Sequence, residues 1–581
     1  MENFRDRHQR EAQLERNRRM AIGTGIGALA VAIIVVVFLI IRFKPSTAHA
    51  DVSKYYDIPD GEAMILFENS VYEKNALVSD GEVYVDLDTV IKLFDERYYW
   101  DSAENLVIYT TSTDLIKASV GSSDYTVNKS RKTMNAPIVR TEGDTPYISL
   151  SFVKQYSNID YQYFESPNRV MIQYQWGKQF LTASVKKDTQ LRTDASVKSE
   201  ILEDVKSGTT VTYLGDGTIE GKFAEVITSD GLTGYIRMSA LNKAEQTSKT
   251  SDYVSEKYSS LTSETPLNLV WHQVSNQDAN NNLLNLISST KGVNTISPTW
   301  FEVSDENGSI SSLASETYVS RAHNAGLAVW GLCDDFNKNV AITTVLAKTT
   351  SREKLENELV AAALKYSLDG INIDFETIPS DGALAYVEFV RELSIKCRNN
   401  GIVLSIDTYV PTSYSKYYDR TELGVVADYV IIMSYDEHTA GSEEAGSVSS
   451  ISFVQQAIDD SLEMIPANKL VIGIPFYTRL WQVETGSDGT EKVVDSVVYS
   501  MKNTQNLLSD EKVTTKWDET TQQNYAEYQS GGKNYKIWVE DAKSIEAKMK
   551  AIYNGGCGGV AEWRLGFETK DVWNVIQKYA N

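Results

Sequence analysis

The segment 368–376 has the sequence LDGINIDFE, and its alternation of apolar and polar residues predicts a buried β-strand. A strand has a period of two, so Asn372, Asp374 and Glu376 point to one face, while the residues between them point to the other. Two carboxylates on one face of a buried strand are costly unless they have a use. The usual use is acid–base chemistry, in which one negative charge keeps the neighbouring carboxyl group protonated.

The region from Pro266 to Asn581 contains eight apolar strand candidates that alternate with helical patterns. These candidates are Leu267–Val274, Val293–Pro298, Ala328–Cys333, Gly370–Glu376, Val403–Val410, Tyr429–Tyr435, Leu470–Pro475 and Gly559–Trp563. Eight such units predict a (β/α)8 TIM barrel, and fully apolar strands fit a parallel sheet that helices cover. A helix is predicted from Ser351 to Tyr366. The segment from Thr478 to about Tyr535 is too long for a loop and predicts an inserted subdomain beside the cleft.

The N-terminal region contains an apolar segment, Ala21–Ile41, without a charged side chain. It is long enough to cross a bilayer as one helix. The arginines before it predict that residues 1–20 form a cytoplasmic tail and that the C-terminal domains lie outside the cell. A signal peptide cleaved after Ala50 is the alternative, since Ala48-His49-Ala50 fits a small-x-small cleavage site. Both interpretations export the bulk of the chain, either as a single-pass membrane protein or as a secreted one.

Charge and cysteine content narrow the classes of function. The formal net charge is −23, and because residues 1–50 carry a net charge of +4, the remainder carries −27. Such an acidic body argues against nucleic acid as a partner, although solubility alone also explains it. Three cysteines cannot form a disulfide framework, and the few histidines and cysteines lack metal-ligand spacing. No cofactor and no metal are expected.

Residues 51–177 contain an imperfect internal repeat. The motif Tyr84-Val85-Asp86-Leu87 recurs as Tyr147-Ile148-Ser149-Leu150, and each copy predicts a strand, a short helix and a strand pair. The segment resembles the copper-amine-oxidase N-terminal-like module, a non-catalytic extracellular unit, but it lacks a copper-ligand set. We expect it to act as a spacer or to bind the cell wall.

Residues 178–245 have short β-rich runs between turn signals such as Gly215-Asp216-Gly217. They resemble bacterial Src-homology-3-like domains, small β-barrels that often bind cell-wall peptides. A spacer barrel and a binding domain are both compatible with the sequence. Residues 246–265 are rich in Ser, Thr, Lys and Glu and are predicted to be a linker.

The motif at 369–376 resembles the signature of glycoside hydrolase family 18, Asp-Gly-x-(Asp/Asn)-x-Asp-x-Glu. Met433-Ser434-Tyr435-Asp436 closes the sixth predicted strand and Trp563 ends the eighth, as in that family. The resemblance covers residues 266–581 and implies a TIM-barrel glycosidase related to chitinases. Asn372 stands where chitinases usually have Asp, and this version is more similar to the branch of bacterial spore-cortex and cell-wall hydrolases.

The resemblance also implies roles for individual residues. Glu376 is expected to be the general acid, Asp374 to hold the substrate's acetamido group, and Tyr435 to donate its hydroxyl to that group. The remaining implied residues are expected to bind substrate or support the site; they are Asp369, Asn372, Asp436 and Trp563. The alternatives from the sequence are a core role for Tyr435 and Trp563 and a helix cap at Asp436, and for Asp369 a structural role is favoured over a chemical one.

Three functions remain open from the sequence. The first is an exported, membrane-anchored hydrolase that cleaves β-1,4 linkages after N-acetylglucosamine by substrate-assisted, retaining catalysis, with peptidoglycan as the polymer. The second is a chitinase or endo-N-acetylglucosaminidase acting on external glycans. The third is a glycan-binding or scaffold protein without catalysis. Glu376 argues against the third, because members of this family that only bind sugars usually lose that glutamate.

Overall fold

The computed structural model describes residues 2–217, 219–487 and 489–579. The described residues fold into two compact units. The first unit comprises the residues up to Glu96 together with Asn135–Val254. The second comprises Arg97–Met134 together with the residues from Ser255 onward.

The chain begins with a long helix, α1 (Glu2–Phe43), which contains the predicted membrane segment. Its residues from Arg5 to Phe43 are long and apolar enough to cross a membrane, and none of their most apolar stretch is buried. A signal sequence would have the same length and composition, so the helix is compatible with either. The elements that follow in this unit are α2 (Val52–Tyr56), β1 (Glu62–Phe67), β2 (Ser70–Ser79), β3 (Glu82–Asp86) and α3 (Leu87–Thr89).

Residues 97–134 form an antiparallel meander of five strands in the second unit. The strands are β4 (Tyr98–Asp101), β5 (Leu106–Thr110), β6 (Leu115–Ser119), β7 (Asp124–Val127) and β8 (Ser130–Thr133).

The chain then returns to the first unit. Its next elements are β9 (Val139–Glu142), β10 (Thr145–Ser149), α4 (Leu150–Tyr156), β11 (Asp160–Phe164) and β12 (Arg169–Gln173). They complete a seven-stranded sheet in the order β11-β12-β1-β2-β3-β10-β9. Both copies of the sequence repeat therefore contain a strand, a helical turn and a hairpin. The hairpin of the first copy, β4–β5, belongs to the second unit, whereas the hairpin of the second copy, β11–β12, belongs to the first.

A second antiparallel sheet completes the first unit. Its strands are β13 (Phe180–Ser184), β14 (Thr189–Arg192), β15 (Ile201–Val205), β16 (Thr210–Tyr213), β17 (Ile219–Glu220), β18 (Phe223–Ile227), β19 (Thr233–Arg237) and β20 (Glu245–Thr247). The sheet encloses a small apolar core of its own around Leu191, Val211 and Ile236. The Src-homology-3-like assignment and the proposed domain boundaries stay predictions.

The second unit continues with fourteen strands from Leu267 onward. They are β21 (Leu267–His272), β22 (Thr295–Val303), β23 (Ile310–Ser312), β24 (Ala328–Asp334), β25 (Gly370–Asp374), β26 (Val403–Tyr409), β27 (Tyr429–Met433), β28 (Leu470–Pro475), β29 (Tyr477–Thr485), β30 (Glu491–Ser500), β31 (Lys516–Asp518), β32 (Gln523–Ser530), β33 (Lys533–Val539) and β34 (Gly559–Trp563). Its helices are α5 (Leu283–Ile287), α6 (Glu316–Asn324), α7 (Ile342–Ala347), α8 (Thr349–Tyr366), α9 (Ala383–Asn399), α10 (Arg420–Val426), α11 (Ile451–Leu462), α12 (Met501–Asp510), α13 (Ala542–Asn554) and α14 (Val572–Ile576).

Eight parallel strands close into a barrel in the order β21-β34-β28-β27-β26-β25-β24-β22, with β21 also paired to β22. The short strand β23 adds to the edge of β22 in the antiparallel sense. The predicted TIM barrel is therefore confirmed. The core lies between strands and helices, as expected when parallel strands are covered on their outer face. The predicted helix 351–366 corresponds to α8, and the predicted insertion corresponds to β29–β33 with α12, a five-stranded sheet.

The β4–β8 meander is attached to the outer helices of the barrel by buried polar contacts. Asp101, at the end of β4, accepts hydrogen bonds from the backbone N–H of Thr349 at 2.6 Å and from its hydroxyl at 2.5 Å, at the start of α8. Arg97 donates to the carboxylate of Glu422 in α10 at 3.0 Å. The carboxylate at a helix start satisfies a backbone N–H that has no partner within the helix. The meander is thus part of the barrel unit.

Candidate active site

A cleft of about 870 Å³ opens at the carboxyl ends of the barrel strands. Active sites of TIM barrels lie at this end, because the loops after the strands converge there. Five of the seven residues predicted from the sequence line this cleft; they are Asp374, Glu376, Tyr435, Asp436 and Trp563. Asn372 lies beneath its floor, and Asp369 lies elsewhere.

Glu376 lies two residues beyond the end of β25, because the strand ends at Asp374 and not at Glu376 as predicted. The loop is held from the neighbouring strand end. The carboxylate of Asp335, which follows β24, accepts the backbone N–H of Glu376 at 3.0 Å and that of Thr377 at 3.0 Å. The Glu376 side chain is therefore placed at the cleft wall by a fixed backbone.

The carboxyl group of Glu376 has one direct partner, the hydroxyl of Tyr409, which donates to Oε2 at 2.7 Å. Burial raises the pKa of Glu376 above its ordinary value, and the negative charges of Asp335 and Asp436 act in the same direction. The hydrogen bond from Tyr409 opposes this rise, because it stabilises the ionised form. A glutamic acid with a raised pKa in a cleft can hold a proton near neutral pH and donate it to a substrate.

Asp374 is the last residue of β25 and is only 7% exposed. Its Oδ1 is buried and has no hydrogen-bond partner in the described structure. Burial raises its pKa well above the ordinary value, and the negative charges of Asp407 and Glu376 add to the rise. A buried polar atom without a partner is costly, so its retention at the floor of a cleft indicates a partner in the substrate.

Asn372 connects three strands beneath the cleft floor. Its Oδ1 accepts hydrogen bonds from Nε1 of Trp271 at 3.0 Å and from the hydroxyl of Ser297 at 2.9 Å. Its Nδ2 donates to Oδ1 of Asp407, in β26, at 2.8 Å. The amide is completely buried and supports the floor through Asp407, with no hydrogen bond to Asp374.

Tyr435 and Asp436 follow the sixth barrel strand, β27. The hydroxyl of Tyr435 has no hydrogen-bond partner among the described residues, and burial raises its pKa well above the ordinary value. It is therefore a neutral donor open to a ligand. Asp436 adopts a left-handed backbone with φ of +56°, and its Oδ1 accepts a 2.6 Å hydrogen bond from the hydroxyl of Tyr477 in β29.

Aromatic side chains complete the floor. Trp563, at the end of β34, lies with its ring centroid 6.1 Å from that of Trp271, in an edge-to-face arrangement. Both rings border the cleft, so Trp563 can offer an apolar face to a sugar ring. Trp300 and Trp330 are buried at 2% and 3% exposure and do not border it, so they are core residues.

Asp369 is the one predicted substrate-binding residue that the structure places away from the site. It precedes the first residue of β25, at the opposite end of the strand from the cleft. Its carboxylate accepts the backbone N–H of Val329 at 2.7 Å and contacts the ring of His323 at 2.8 Å. Substrate binding by Asp369 does not fit this position. Asp369 ties β25 to β24 and α6, which fits the structural role favoured from the sequence.

Four site residues were missed by the sequence analysis: Asp335, Asp407, Tyr409 and Tyr477. A signal existed for two of them, because Asp407 and Tyr409 alternate along β26 on the same face as the residues that point into the barrel. Asp335 and Tyr477 lie just beyond the ends of β24 and β28, and nothing local distinguishes them from loop residues. Among the residues that the structure describes, no group of three or more His, Cys, Asp or Glu side chains is arranged to hold a metal ion.

The closed (β/α)8 barrel has a buried acid at the carboxyl end of its fourth strand and a second acid two residues beyond it, an arrangement compatible with the two-carboxylate chemistry of glycosidases. Residues 271–568 match the family described as "Glycosyl hydrolases family 18". This match covers just over half of the chain, and the chain belongs to that family. Residues 66–172 match the family "Copper amine oxidase N-terminal domain". Two of the three resemblances inferred from the sequence are confirmed, and so is the glycosidase class.

Two relatives from Bacillus subtilis (strain 168) are similar to part of this chain. One is named uncharacterized glycosylase YvbX and is 25% identical over 287 residues, which are 47% of this chain and 81% of the relative. Another is named cortical fragment-lytic enzyme and is 27% identical over 246 residues, 41% of this chain and 56% of the relative. This chain thus spans little more than half of the second relative. The crystal structure of the Bacillus megaterium QM B1551 spore cortex-lytic enzyme SleL aligns with a TM-score of 0.48 at 20% identity, covering 58% of this chain and 78% of that one.

Proposed function

We propose that this protein is a membrane-anchored, extracellular glycoside hydrolase that cleaves β-1,4 linkages after N-acetylglucosamine in peptidoglycan, by substrate-assisted catalysis with retention. The observation that carries the proposal is the pair of acids at the end of β25. Glu376 has a raised pKa, and Asp374 is buried with an unpartnered oxygen that faces the same cleft.

The chemistry follows from these positions. Glu376 donates its proton to the glycosidic oxygen as the bond from that oxygen to the anomeric carbon breaks. The carbonyl oxygen of the substrate's own 2-acetamido group attacks the anomeric carbon and forms an oxazolinium ring. Asp374 accepts the acetamido N–H and stabilises the positive charge of that ring, while the free hydroxyl of Tyr435 donates to the acetamido oxygen.

The second half of the reaction reverses these roles. Glu376, now ionised, takes a proton from water as the water oxygen attacks the anomeric carbon and the oxazolinium ring opens. Each attack inverts the anomeric carbon, so the product keeps the original configuration. Trp563 lies under the reacting sugar, and Asp436, fixed by Tyr477, keeps Tyr435 in place.

The proposed polymer and location rest on the accessory parts of the chain. The helix α1 supports an anchor with the catalytic unit outside the cell, because arginines precede its apolar segment. A relative named cortical fragment-lytic enzyme supports a wall polymer. An anchored hydrolase with accessory domains lies next to the cell wall, which contains N-acetylglucosamine throughout.

The test compares the full chain in detergent with the variant Glu376→Gln, on chitin oligomers and on purified peptidoglycan. The variant should lose roughly 10²-fold or more of its turnover, because it cannot donate the proton, and should still bind the glycan. Glu463→Gln, the same change at an exposed position just after α11, should leave turnover unchanged. If the unmodified protein releases no reducing ends from either polymer, or if Glu376→Gln is as active, the proposal fails.

A further inference from the structure

A second buried acid lies beside the predicted pair, on the neighbouring strand. Asp407 of β26 is only 2% exposed and borders the floor of the cleft. No motif singled it out, and its Oδ1 accepts a 2.8 Å hydrogen bond from the amide of Asn372. A buried carboxylate at a cleft floor is retained against a desolvation cost, so it calls for an explanation.

The strand register places Asp407 opposite Asp374. In the parallel pair β25–β26, Asn372 is opposite Ser405 and Ile373 is opposite Ile406, so the next two residues are Asp374 and Asp407. Neighbouring strands are about 4.8 Å apart, and side chains at the same register position point to the same face. Both carboxylates border the same cleft.

The hydrogen bonds of Asn372 explain why the acid lies on β26 and the amide on β25. Its Oδ1 is occupied by donors from Trp271 and Ser297, which leaves Nδ2 to donate to Asp407. A carboxylate at 372 would have no N–H to offer, and it would meet Asp407 as a second acceptor. The amide at 372 and the acid at 407 therefore form a matched pair.

The surroundings of Asp374 are acidic from every side. Asp334 and Asp335 face it from the end of β24, Asp407 from β26, and Glu376 from beyond its own strand, while the neutral hydroxyl of Tyr435 approaches from β27. Among the described residues that line the cleft there is no lysine or arginine. Burial raises the pKa of both Asp374 and Asp407 well above the ordinary value, so the two cannot both be ionised at little cost.

We propose that Asp407 is a positioning residue of the reaction, which forms with Asp374 a buried carboxyl pair that holds a single proton between the two strands. The pair carries one negative charge, fixed in place by Asn372 before substrate binds. That charge lies where the oxazolinium cation develops, so it stabilises the cation without any movement of solvent. This inference rests on the proposed function.

The first variant is Asp407→Asn in the full chain. It removes the second carboxyl group, so the floor can carry only one negative charge even at alkaline pH, where the pair would lose its shared proton. The pKa of Asp374 and that of Glu376 should therefore fall, and the alkaline limb of the kcat/KM profile should move to lower pH. Turnover at the optimum should fall about tenfold, because the charge then lies on Asp374 alone and is no longer fixed by Asn372 through Asp407. KM should change less, because Asp407 does not contact the substrate.

The second variant, Asn372→Asp combined with Asp407→Asn, exchanges acid and amide between the strands. The new amide on β26 can donate to the new carboxylate on β25, which still accepts from Trp271 and Ser297. The exchange restores one acid to the floor, so it should regain turnover over Asp407→Asn and return the alkaline limb toward that of the unmodified protein. A residue needed only for packing would not be rescued by this exchange.

Glu562→Gln is the matched control, because Glu562 is a completely buried acid on barrel strand β34 whose oxygens have no partner. It does not border the cleft, so its removal should leave the pH profile of kcat/KM unchanged. Its pKa is raised by burial, as is that of Asp407, so both variants should affect how stability depends on pH.

Thermal unfolding across pH gives a readout that needs no turnover. A carboxyl group whose pKa is raised in the folded protein favours folding below its ordinary pKa of about 4, and this contribution is lost as pH rises through the raised value. The midpoint of the unmodified protein should therefore fall as pH rises above about 4, and it should fall less in Asp407→Asn. If the pH dependence of stability is the same in Asp407→Asn as in the unmodified protein, the proposed carboxyl pair is refuted, even if the protein proves inactive on every glycan. If the protein is active, an alkaline limb that stays in place in Asp407→Asn also overturns the proposed pair. The same holds if the double variant unfolds at the normal midpoint but regains no turnover.

Discussion

The hydroxyl of Tyr409 is the only direct hydrogen-bond donor to the Glu376 side chain among the described residues, and Tyr409→Phe removes it without changing the ring. The bond is 2.7 Å long and favours the ionised form, so its loss should raise the pKa of Glu376. A hydrogen bond to a charged group contributes about 1.5–3 kcal/mol. Tyr409 is 37% exposed and water can replace it in part, so we take the lower end, about 1.5 kcal/mol, or roughly tenfold.

The assay is the pH profile of kcat/KM, whose alkaline limb reports the proton of the general acid in the free enzyme. At acidic pH, Tyr409→Phe should be slower than the unmodified protein, because the acid is less well positioned. At alkaline pH its relative activity should rise by about tenfold, since more of its Glu376 stays protonated. Tyr366→Phe, in α8 and outside the cleft, should follow the unmodified profile. An alkaline limb that stays in place, or moves to lower pH, would refute the assignment of Tyr409 and Glu376 as a hydrogen-bonded pair.

Two further predictions concern the support of the site and of the barrel. Tyr477→Phe removes the hydrogen bond to the carboxylate of Asp436, which contributes about 1.5 kcal/mol as a charge-assisted bond. The value of kcat/KM in steady-state kinetics should therefore fall roughly tenfold, and an unchanged value would contradict this prediction. Asp101→Ala leaves the N–H of Thr349 without its partner at the start of α8, so the free energy of unfolding should fall by about 1–2 kcal/mol in urea titrations. The control Asp88→Ala breaks only an exposed ion pair and should change the free energy of unfolding by less than about 0.5 kcal/mol. Equal losses of unfolding free energy in Asp101→Ala and Asp88→Ala would argue against the meander as part of the barrel unit.

The barrel could be predicted from the sequence because its strands are buried on both faces. Leu470–Pro475 is apolar throughout and Gly559–Trp563 is apolar except for Glu562, and the structure gives both strands with the predicted bounds. The predicted end of β25 is wrong, because the alternation of apolar and polar residues continues to Glu376 while the strand pairing does not. The backbone N–H of Glu376 donates to the carboxylate of Asp335 instead of to a neighbouring strand. A contact between two loops leaves no periodic signal in either segment.

The sequence motif 369–376 predicts one functional site, but in the structure its acidic residues lie at the two ends of the strand. The strand between Asp369 and Asp374 rises by about 3.3 Å per residue, which separates the two carboxylates by most of the barrel's height. Asp374 therefore lies at the cleft, and Asp369 at the opposite end. Asp407 and Tyr409 could have been found by extending the same parity to β26, whereas Tyr477 reaches the site only because the insertion begins next to it.

The central claim is that the cleft cuts glycan chains after N-acetylglucosamine. Purified peptidoglycan digested with the full chain, reduced with borohydride and analysed by mass spectrometry identifies the sugar at each new reducing end. The proposed function predicts N-acetylglucosaminitol ends that are absent after digestion with Glu376→Gln. N-acetylmuramitol ends, or no new ends at all, would contradict it.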